Sequence, residues 1–379
     1  MNTLRTLFRL WRKKRFNYES LIEVRIYQAG LHNNFKLFAD RYSDVSVAPV
    51  LKSNAYGHGL VQVAKILEEE TTPFFCVDSF FEALVLRNEG ITKPILILGY
   101  TPIKNIIENT LKDISFSILS FDELQKINNS LHTSVSFHLK LDTGMHRHGV
   151  DFDHVGDALA LIKGNKHIVV DGLYSHLADA DTEESLHLEN QIELWNTVAK
   201  DIVAELPNIK HVHCAATFGS AHTKKIFATT MRIGLGLYGF GPDKELPLEP
   251  VLELRARISS IRSIVAGESI GYNATFTARE SMRLATIPVG YTEGLDRRLS
   301  NNGSVMIRGK LCPIVGRVSM NIASVDISAL PEASLEDEAI VISRDRQSAN
   351  SVESIARLCK TIPYEILVHI PAHLRRKVV

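Results

Sequence analysis

The sequence has no excess of charge. Its 379 residues carry 43 Lys and Arg against 43 Asp and Glu. Such a balance gives no electrostatic footprint for nucleic acid or for an acidic surface. Cysteine is scarce. Cys76, Cys214, Cys312 and Cys359 are far apart and form no CxxC pair. That argues against a disulfide framework and reads as free thiols buried in a reducing, cytoplasmic compartment. No apolar run approaches the roughly 18 residues that a membrane span needs. There is no low-complexity linker and no internal repeat longer than a strand–helix unit.

What is present is an ordinary globular composition, 45% hydrophobic and 23% charged, in a chain long enough for one large domain and a smaller one. The first 20 residues stand apart as a basic extension. "MNTLRTLFRLWRKKRF" holds six basic residues and no acid, with Leu4, Leu7, Phe8 and Trp11 at helical spacing. It lacks the continuous apolar core and cleavage site of a secretory signal. A membrane-surface helix, a transit peptide and a solvated or partner-packed extension remain open for it.

From about 45 to 235, short apolar runs alternate with amphipathic stretches. The runs at 45–51, 74–78, 94–98, 114–118, 135–141, 168–175, 211–216 and 228–234 read as eight strands. "SFFEALVLRNEG" reads as a helix that starts at a capping serine with a glutamate three residues on and stops at Gly90. "VQVAKILEEE", "FDELQKINN" and 184–205 also fit helices. Only a helical turn or two fits in 217–227. Eight strand–helix alternations predict a parallel (β/α)8 TIM-type barrel over 21–245. After about 245, glycine-punctuated β runs predict a separate, mainly β C-terminal domain over 246–379, with one helix at "SVESIARLCK".

In such a barrel, chemistry sits on loops at the C-terminal ends of the strands. The polar clusters fall there. Lys52 follows the first strand in "LKSNAYGHGL". Lys140, Asp142 and Arg147 lie on or after the fifth in "LKLDTGMHRHG". His176 follows the sixth, Thr217 the seventh, and Arg232 and Gly234 the eighth in "MRIGLGLYGFGP". Taken singly, each has a bland explanation. A lysine closing a strand is usually solvated, a lone His176 could be a bonded core residue, and "HRH" without a carboxylate pair suits a surface loop better than a metal. Their convergence on one barrel mouth is what points to a shared site.

The ordered segments "VLKSNAYGHG", "LKLDTGMHRHG", "YSHLADAD", "RIGLGLYG", "GYNATF", "PVGYTEG" and "VGRVSMN" together resemble the alanine racemase family, over roughly residues 20–376. The resemblance implies a cytoplasmic isomerase of D-alanine biosynthesis that uses pyridoxal 5'-phosphate (PLP). It assigns Lys52 to covalent attachment of the cofactor and to base chemistry on one face. It assigns Tyr272 to base chemistry on the other face, with His176 contacting the tyrosine and Arg232 backing the histidine and facing the pyridine nitrogen. Tyr56, Thr217, Gly234 and Leu235 match phosphate contacts. Arg147 matches the arginine near the phenolic oxygen and the substrate carboxylate. Lys140 matches a lysine that is carbamylated in many members, a plain Lys140–Asp142 pair being the alternative. Tyr291 and Met320 match residues that bind the substrate carboxylate, and Asp181 and Arg317 match the substrate-access corridor. The resemblance also implies a head-to-tail homodimer whose second copy supplies Tyr272. No metal, nucleic acid or membrane span is expected.

The sequence departs from the family pattern at Asn321 and Glu293, where aspartates are usual, and at Ala216, where asparagine is common. Without gaps, Ala372 falls where some members place a phosphate-binding tyrosine, which would widen the pocket for a side chain larger than methyl. Alanine is the expected substrate, with serine, lysine and arginine as alternatives. A non-catalytic PLP-binding protein lacks the β domain. A decarboxylase of related architecture needs a C-terminal cysteine–aspartate segment that is missing here.

Overall fold

The structure is a computed structural model that describes residues 18–182, 184–241 and 246–379. The basic segment 1–16 and its expected roles lie outside the described residues. The chain forms two compact units. Among the described residues, one comprises those within Arg25–Leu252, Arg344–Ala372 and Val378–Val379, and the other those within 18–24, Glu253–Ser343 and His373–Lys377.

The larger unit is the eight-stranded parallel barrel. Six strands, Phe75–Val77, Ile95–Ile97, Ile114–Ile118, Val135–Lys140, Ile168–Tyr174 and His211–His213, pair in sequence order. The first strand, Ser46–Pro49, pairs in parallel with the last, Thr230–Ile233, in the register Ser46↔Thr230 to Pro49↔Ile233. Parallel bridges Val50↔Cys76 and Ala216↔Arg232 join this pair to both edges of the six, so the ring closes. Strands covered on both faces tend toward apolar runs. Phe75–Val77, Ile95–Ile97 and Thr230–Ile233 are wholly buried.

Local chemistry sets the helices. Ser79 and Ser120 cap Phe80–Asn88 and Phe121–Ser130 by accepting from the amides of Glu82 and Glu123. Those glutamates reach back to accept from the amides of Asp78 and Leu119, so each serine–glutamate pair satisfies donors at both sides of the cap. Gly90, with φ 88°, follows the first of these helices as expected. The interval before the last strand holds one short 3₁₀ segment, Phe218–Lys225.

After the first strand the chain does something the sequence does not announce. Ser53, Asn54, Ala55 and Tyr56 all have φ between 51° and 56°. Four consecutive non-glycine residues thus wind left-handed, which costs about 1–2 kcal/mol per residue. The turn is held at both ends. Asn54 Oδ1 accepts from the Leu60 amide at 2.9 Å, and buried His58 bonds through Nδ1 to the carbonyls of Ala55 and Tyr56 and stacks on Tyr238. Gly57 ends the turn at φ 82°, where a Cβ would lie 2.0 Å from the Leu367 carbonyl.

The smaller unit is antiparallel β. Ser260–Ile264, Met282–Ile287 and Ala323–Asp326 form one sheet. In another, Lys310–Pro313, Ser304–Ile307, Glu338–Ile342 and Leu252–Arg257 are neighbours in that order. A hairpin of Ser269–Ile270 and Phe276–Thr277 stands on an apolar cluster of Ile270, Ala278, Met282, Leu284 and Val315.

Candidate active site

Arg232 ends the last barrel strand, and its guanidinium is fixed from several sides. Nη1 donates to His213 Nδ1 at 2.6 Å and to the His213 carbonyl at 2.9 Å. Nη2 donates to the Ser175 carbonyl at 2.8 Å, to His176 Nδ1 at 3.1 Å and to the Cys214 carbonyl at 3.3 Å. Arginine has only donors. Both histidines must therefore accept at Nδ1, and in their neutral forms each carries its proton on Nε2. Burial first, then the charge of Arg232, holds His176 down to about 3, and the same causes hold His213 well below the ordinary histidine range.

The directed bonds continue inward. His213 Nε2 lies 2.8 Å from His138 Nδ1, so His213 donates and His138 accepts. The remaining His138 proton sits on Nε2, 3.5 Å from Asp171 Oδ1. Gly172 makes room for this pair. A Cβ there would lie 2.3–2.5 Å from the His138 ring.

Lys52 sits part-exposed after the first strand, its Nζ 3.8 Å from Asp78 Oδ1. Tyr56, at the end of the left-handed turn, lays its hydroxyl against Gly234. A Cβ on Gly234 would lie 2.7 Å from that oxygen. Thr217 Oγ1 accepts from the amides of Gly234 and Gly236 at 3.2 and 3.1 Å, which leaves its own hydrogen free to be donated. Leu235 lies between those two glycines. Lys140 is buried, and its basicity falls to about 8 through burial and then the charges of Arg147 and Arg232. Asp142 is occupied elsewhere. One oxygen accepts from the amides of Gly144, Met145 and His146, and the other lies 3.5 Å from His146 Nδ1. Burial would raise its carboxyl, but these amides outweigh it and hold it low.

The barrel unit thus brings Lys52, Tyr56, Lys140, Arg147, His176, Thr217, Arg232, Gly234 and Leu235 to one mouth. Asp181 is exposed near it and acts electrostatically on Tyr364. Tyr364 is a residue that the sequence reading missed. Its ring centroid lies 5.9 Å from that of Tyr56, whereas Ala372 is exposed in its own segment. Position 372 itself carries no ring. Tyr364 comes from the helix Pro363–Val368. Ala216 contributes backbone to the bridge with Arg232. Cys76 and Cys214 are free and buried, their thiols pushed up to about 12 by burial, so neither is a nucleophile.

In the β unit, Tyr272 tips the hairpin and is 69% exposed. Gly271 before it, at φ 75°, lies against the Arg317 backbone, where a Cβ would lie 3.3 Å from the Arg317 nitrogen. Tyr291 and Met320 are also exposed, and their segments are fastened by Tyr291 N→Ser319 O and Thr292 N→Met320 O bonds.

The barrel residues suit a phosphorylated pyridine. Among the described residues, every side-chain hydrogen bond of Arg232 runs through its two Nη atoms, leaving one Nε–H on an immobile guanidinium for a ring nitrogen. Hydroxyls of Tyr56 and Thr217 and a close glycine backbone suit a phosphate. Residues 26–242 match the family model for the alanine racemase N-terminal domain, and residues 251–378 match that for the alanine racemase C-terminal domain. Alanine racemase 1 of Caldanaerobacter subterraneus subsp. tengcongensis is 32% identical over 362 residues, 93% of each chain. The alanine racemase of Syntrophobacter fumaroxidans is 34% identical over 355 residues, 92% of this chain and 94% of that one. The fold superposes on alanine racemase from Clostridium difficile 630 with a TM-score of 0.88 at 28% identity, covering 96% and 97% of the two chains. It superposes on the Bartonella henselae enzyme with covalently bound pyridoxal phosphate with a TM-score of 0.83 at 25% identity, covering 95% and 100%. Sequence motifs, barrel geometry and these likenesses converge: the chain belongs to the alanine racemase family, whose members are PLP-dependent amino-acid racemases.

Proposed function

We propose that this chain interconverts L- and D-alanine with PLP by a two-base mechanism, in a homodimer whose copies share their sites. The observation that carries the reading is the immobilised Arg232 with its one spare N–H. When bound, the cofactor draws electrons from the substrate Cα–H bond into its ring and acidifies that proton.

The chain's own residues then do the following. Lys52 attaches the cofactor, and its amine takes or returns the Cα proton on one face. Tyr272 of the second copy does so through Oη on the other face. A phenol of ordinary pKa about 10 is a poor base near neutrality. His176, with its Nδ1 committed to Arg232, has Nε2–H to donate and so stabilises the phenolate. Arg232 gives up no proton, so the pyridine nitrogen it faces stays neutral. Tyr56, Thr217, Gly234 and Leu235 hold the phosphate, joined by Tyr364. Lys140, with basicity lowered to about 8, keeps a useful fraction of neutral amine, which carbon dioxide converts to a carbamate with loss of a proton. The carbamate then orients Arg147 toward the substrate carboxylate, which Tyr291 and Met320 of the second copy also meet. Asp181 and Arg317 line the approach. The exposure of Tyr272, Tyr291 and Met320 (69%, 45% and 57%) suits a surface that a head-to-tail partner covers. Alanine is the substrate we assign, with serine, lysine and arginine as the alternatives to test against it because position 372 carries no ring. The four unbridged cysteines suit cytoplasmic conditions.

Borohydride reduction of the PLP-loaded protein, followed by peptide mapping, should place the cofactor on Lys52, and a chiral assay should show alanine turning over faster than serine, lysine or arginine. Labelling at another residue overturns the attachment, and a faster non-alanine substrate overturns the specificity.

A further inference from the structure

In the β unit, the turn Gly290–Gly294 and the loop Ser319–Ile322 carry Tyr291 and Met320. One buried carboxylate ties them together. Glu293 is only 5% exposed. Its Oε2 accepts from the Gly290 amide at 2.9 Å, and its Oε1 accepts from Asn321 Nδ2 at 2.7 Å. Backbone bonds run beside it, from Tyr291 N to Ser319 O at 3.1 Å and from Thr292 N to Met320 O at 3.0 Å, with Thr292 Oγ1 also donating to Met320 O at 2.8 Å. The two strands of chain are so close that a Cβ on Gly290 would lie 2.2 Å from the Ser319 carbonyl. The Tyr291 and Met320 side chains stand free on this platform, and neither is needed to hold it.

A carboxylate that already accepts an amide needs a donor from the facing loop. Asparagine supplies N–H. Aspartates are usual at both positions in the family pattern, but here the longer Glu293 already reaches Asn321 Nδ2 at 2.7 Å, so an aspartate at 321 would set a second negative charge directly against it. The extra methylene of glutamate over aspartate suits a carboxylate that must span from Gly290 to the facing loop. The two departures from the family pattern, Glu293 and Asn321, are therefore one matched donor–acceptor pair rather than two separate changes.

We infer that Glu293 and Asn321 are positioning residues for the substrate carboxylate, acting through the placement of Tyr291 and Met320. The inference deepens the racemase reading and rests on it for the roles of those two side chains. The test compares holoenzyme carrying Asn321→Asp with the exchanged pair Glu293→Gln/Asn321→Asp, in which the amide and the carboxylate trade places. Asn321→Asp should raise KM for alanine about tenfold, in line with one unit of like-charge penalty, and should weaken competition by acetate, a bare carboxylate probe, by the same factor. kcat should stay within about twofold. The exchanged pair should recover KM and acetate competition to within about threefold of the parent, as expected when a donor–acceptor pair is restored. A folded Asn321→Asp enzyme with unchanged KM and acetate competition, or an exchanged pair no better than the single variant, overturns the inference. The thermal midpoint separates this from the racemase reading. If the parent protein does not racemise alanine, that reading fails by itself. The pairing still requires Asn321→Asp to lower the midpoint and the exchange to restore it, and absence of that pattern refutes the pairing.

Discussion

Replacing Gly172 by alanine adds one methyl group at the most crowded point of the barrel. Gly172 pairs across the sheet with His138, and the new Cβ would sit 2.3–2.5 Å from the His138 ring. The ring has little room to retreat, because Phe74 meets it edge-on with centroids 5.2 Å apart and His213 holds it at 2.8 Å. Gly172 has no left-handed φ, so the penalty is steric alone. Overpacking of this kind costs about 1–3 kcal/mol. Pushing the ring off His213 leaves buried polar atoms unpaired, for about 1–3 kcal/mol more. A stiffer unfolded chain returns about 0.4–1 kcal/mol. The net loss should lie between about 1 and about 5.6 kcal/mol, centred on about 3 kcal/mol. Urea unfolding of the barrel, followed by Trp195 fluorescence in a Trp11→Phe background, measures it. The decisive comparison is the same substitution beside His138→Ala, where the ring is gone and the added cost should fall below about 0.5 kcal/mol. An equal cost in both backgrounds would refute the steric argument.

Acid should destabilise the fold early. His138, His176 and His213 are held neutral by burial and by Arg232, His176 down to about 3. The unfolded chain binds these protons from about pH 6.5 downward while the folded one does not. Stability is therefore undiminished above about 6.5 and falls below it, by about 1.4 kcal/mol per pH unit for His176 as pH drops toward 3, with His138 and His213 adding losses in the same direction, which unfolding midpoints at pH 7, 6 and 5 will read. Gly57→Ala combines a left-handed φ of 82° with a Cβ 2.0 Å from the Leu367 carbonyl. It should cost about 3 kcal/mol and lower the thermal midpoint; a midpoint within a degree of the parent would contradict the close approach. Tyr272→Phe should lower kcat by at least about 100-fold while PLP absorbance titrations stay unchanged. Mixed with Lys52→Ala subunits it should regain part of the activity, and proven heterodimers without any rescue would argue against shared sites.

Much of this was legible from residue order. Buried parallel strands leave mainly apolar runs in the sequence, so all eight barrel strands could be read from the chain. Ser79 and Glu82 announced their helix because a cap is a local device. The mouth residues were legible because each lies at or soon after the C-terminal end of a strand. What stayed hidden depends on side chains meeting across long sequence distances. Nothing in "VSFHLKL" or "HVHCAA" says that His138 and His213 would share a proton donor and acceptor inside the ring, and Gly172 reads as an ordinary strand glycine until that imidazole is opposite it. Tyr364 reaches Tyr56 over some three hundred residues of chain. The left-handed run at Ser53–Tyr56 was invisible because none of its residues is glycine, although the absence of a β-branched side chain there is a weak trace of it.

That run has a consequence for how the protein would fail. Four left-handed residues raise the local energy by about 4–8 kcal/mol, as much as the whole net stability of many domains. The turn persists only because His58, Asn54 and the packing at Gly57 confine it. Any weakening of the barrel that loosens those restraints lets the backbone around Lys52 relax toward right-handed geometry before the strands separate. The loop that bears the lysine is the part of the barrel with the least margin, so heat or mild denaturant should silence the site while the rest of the molecule still looks native.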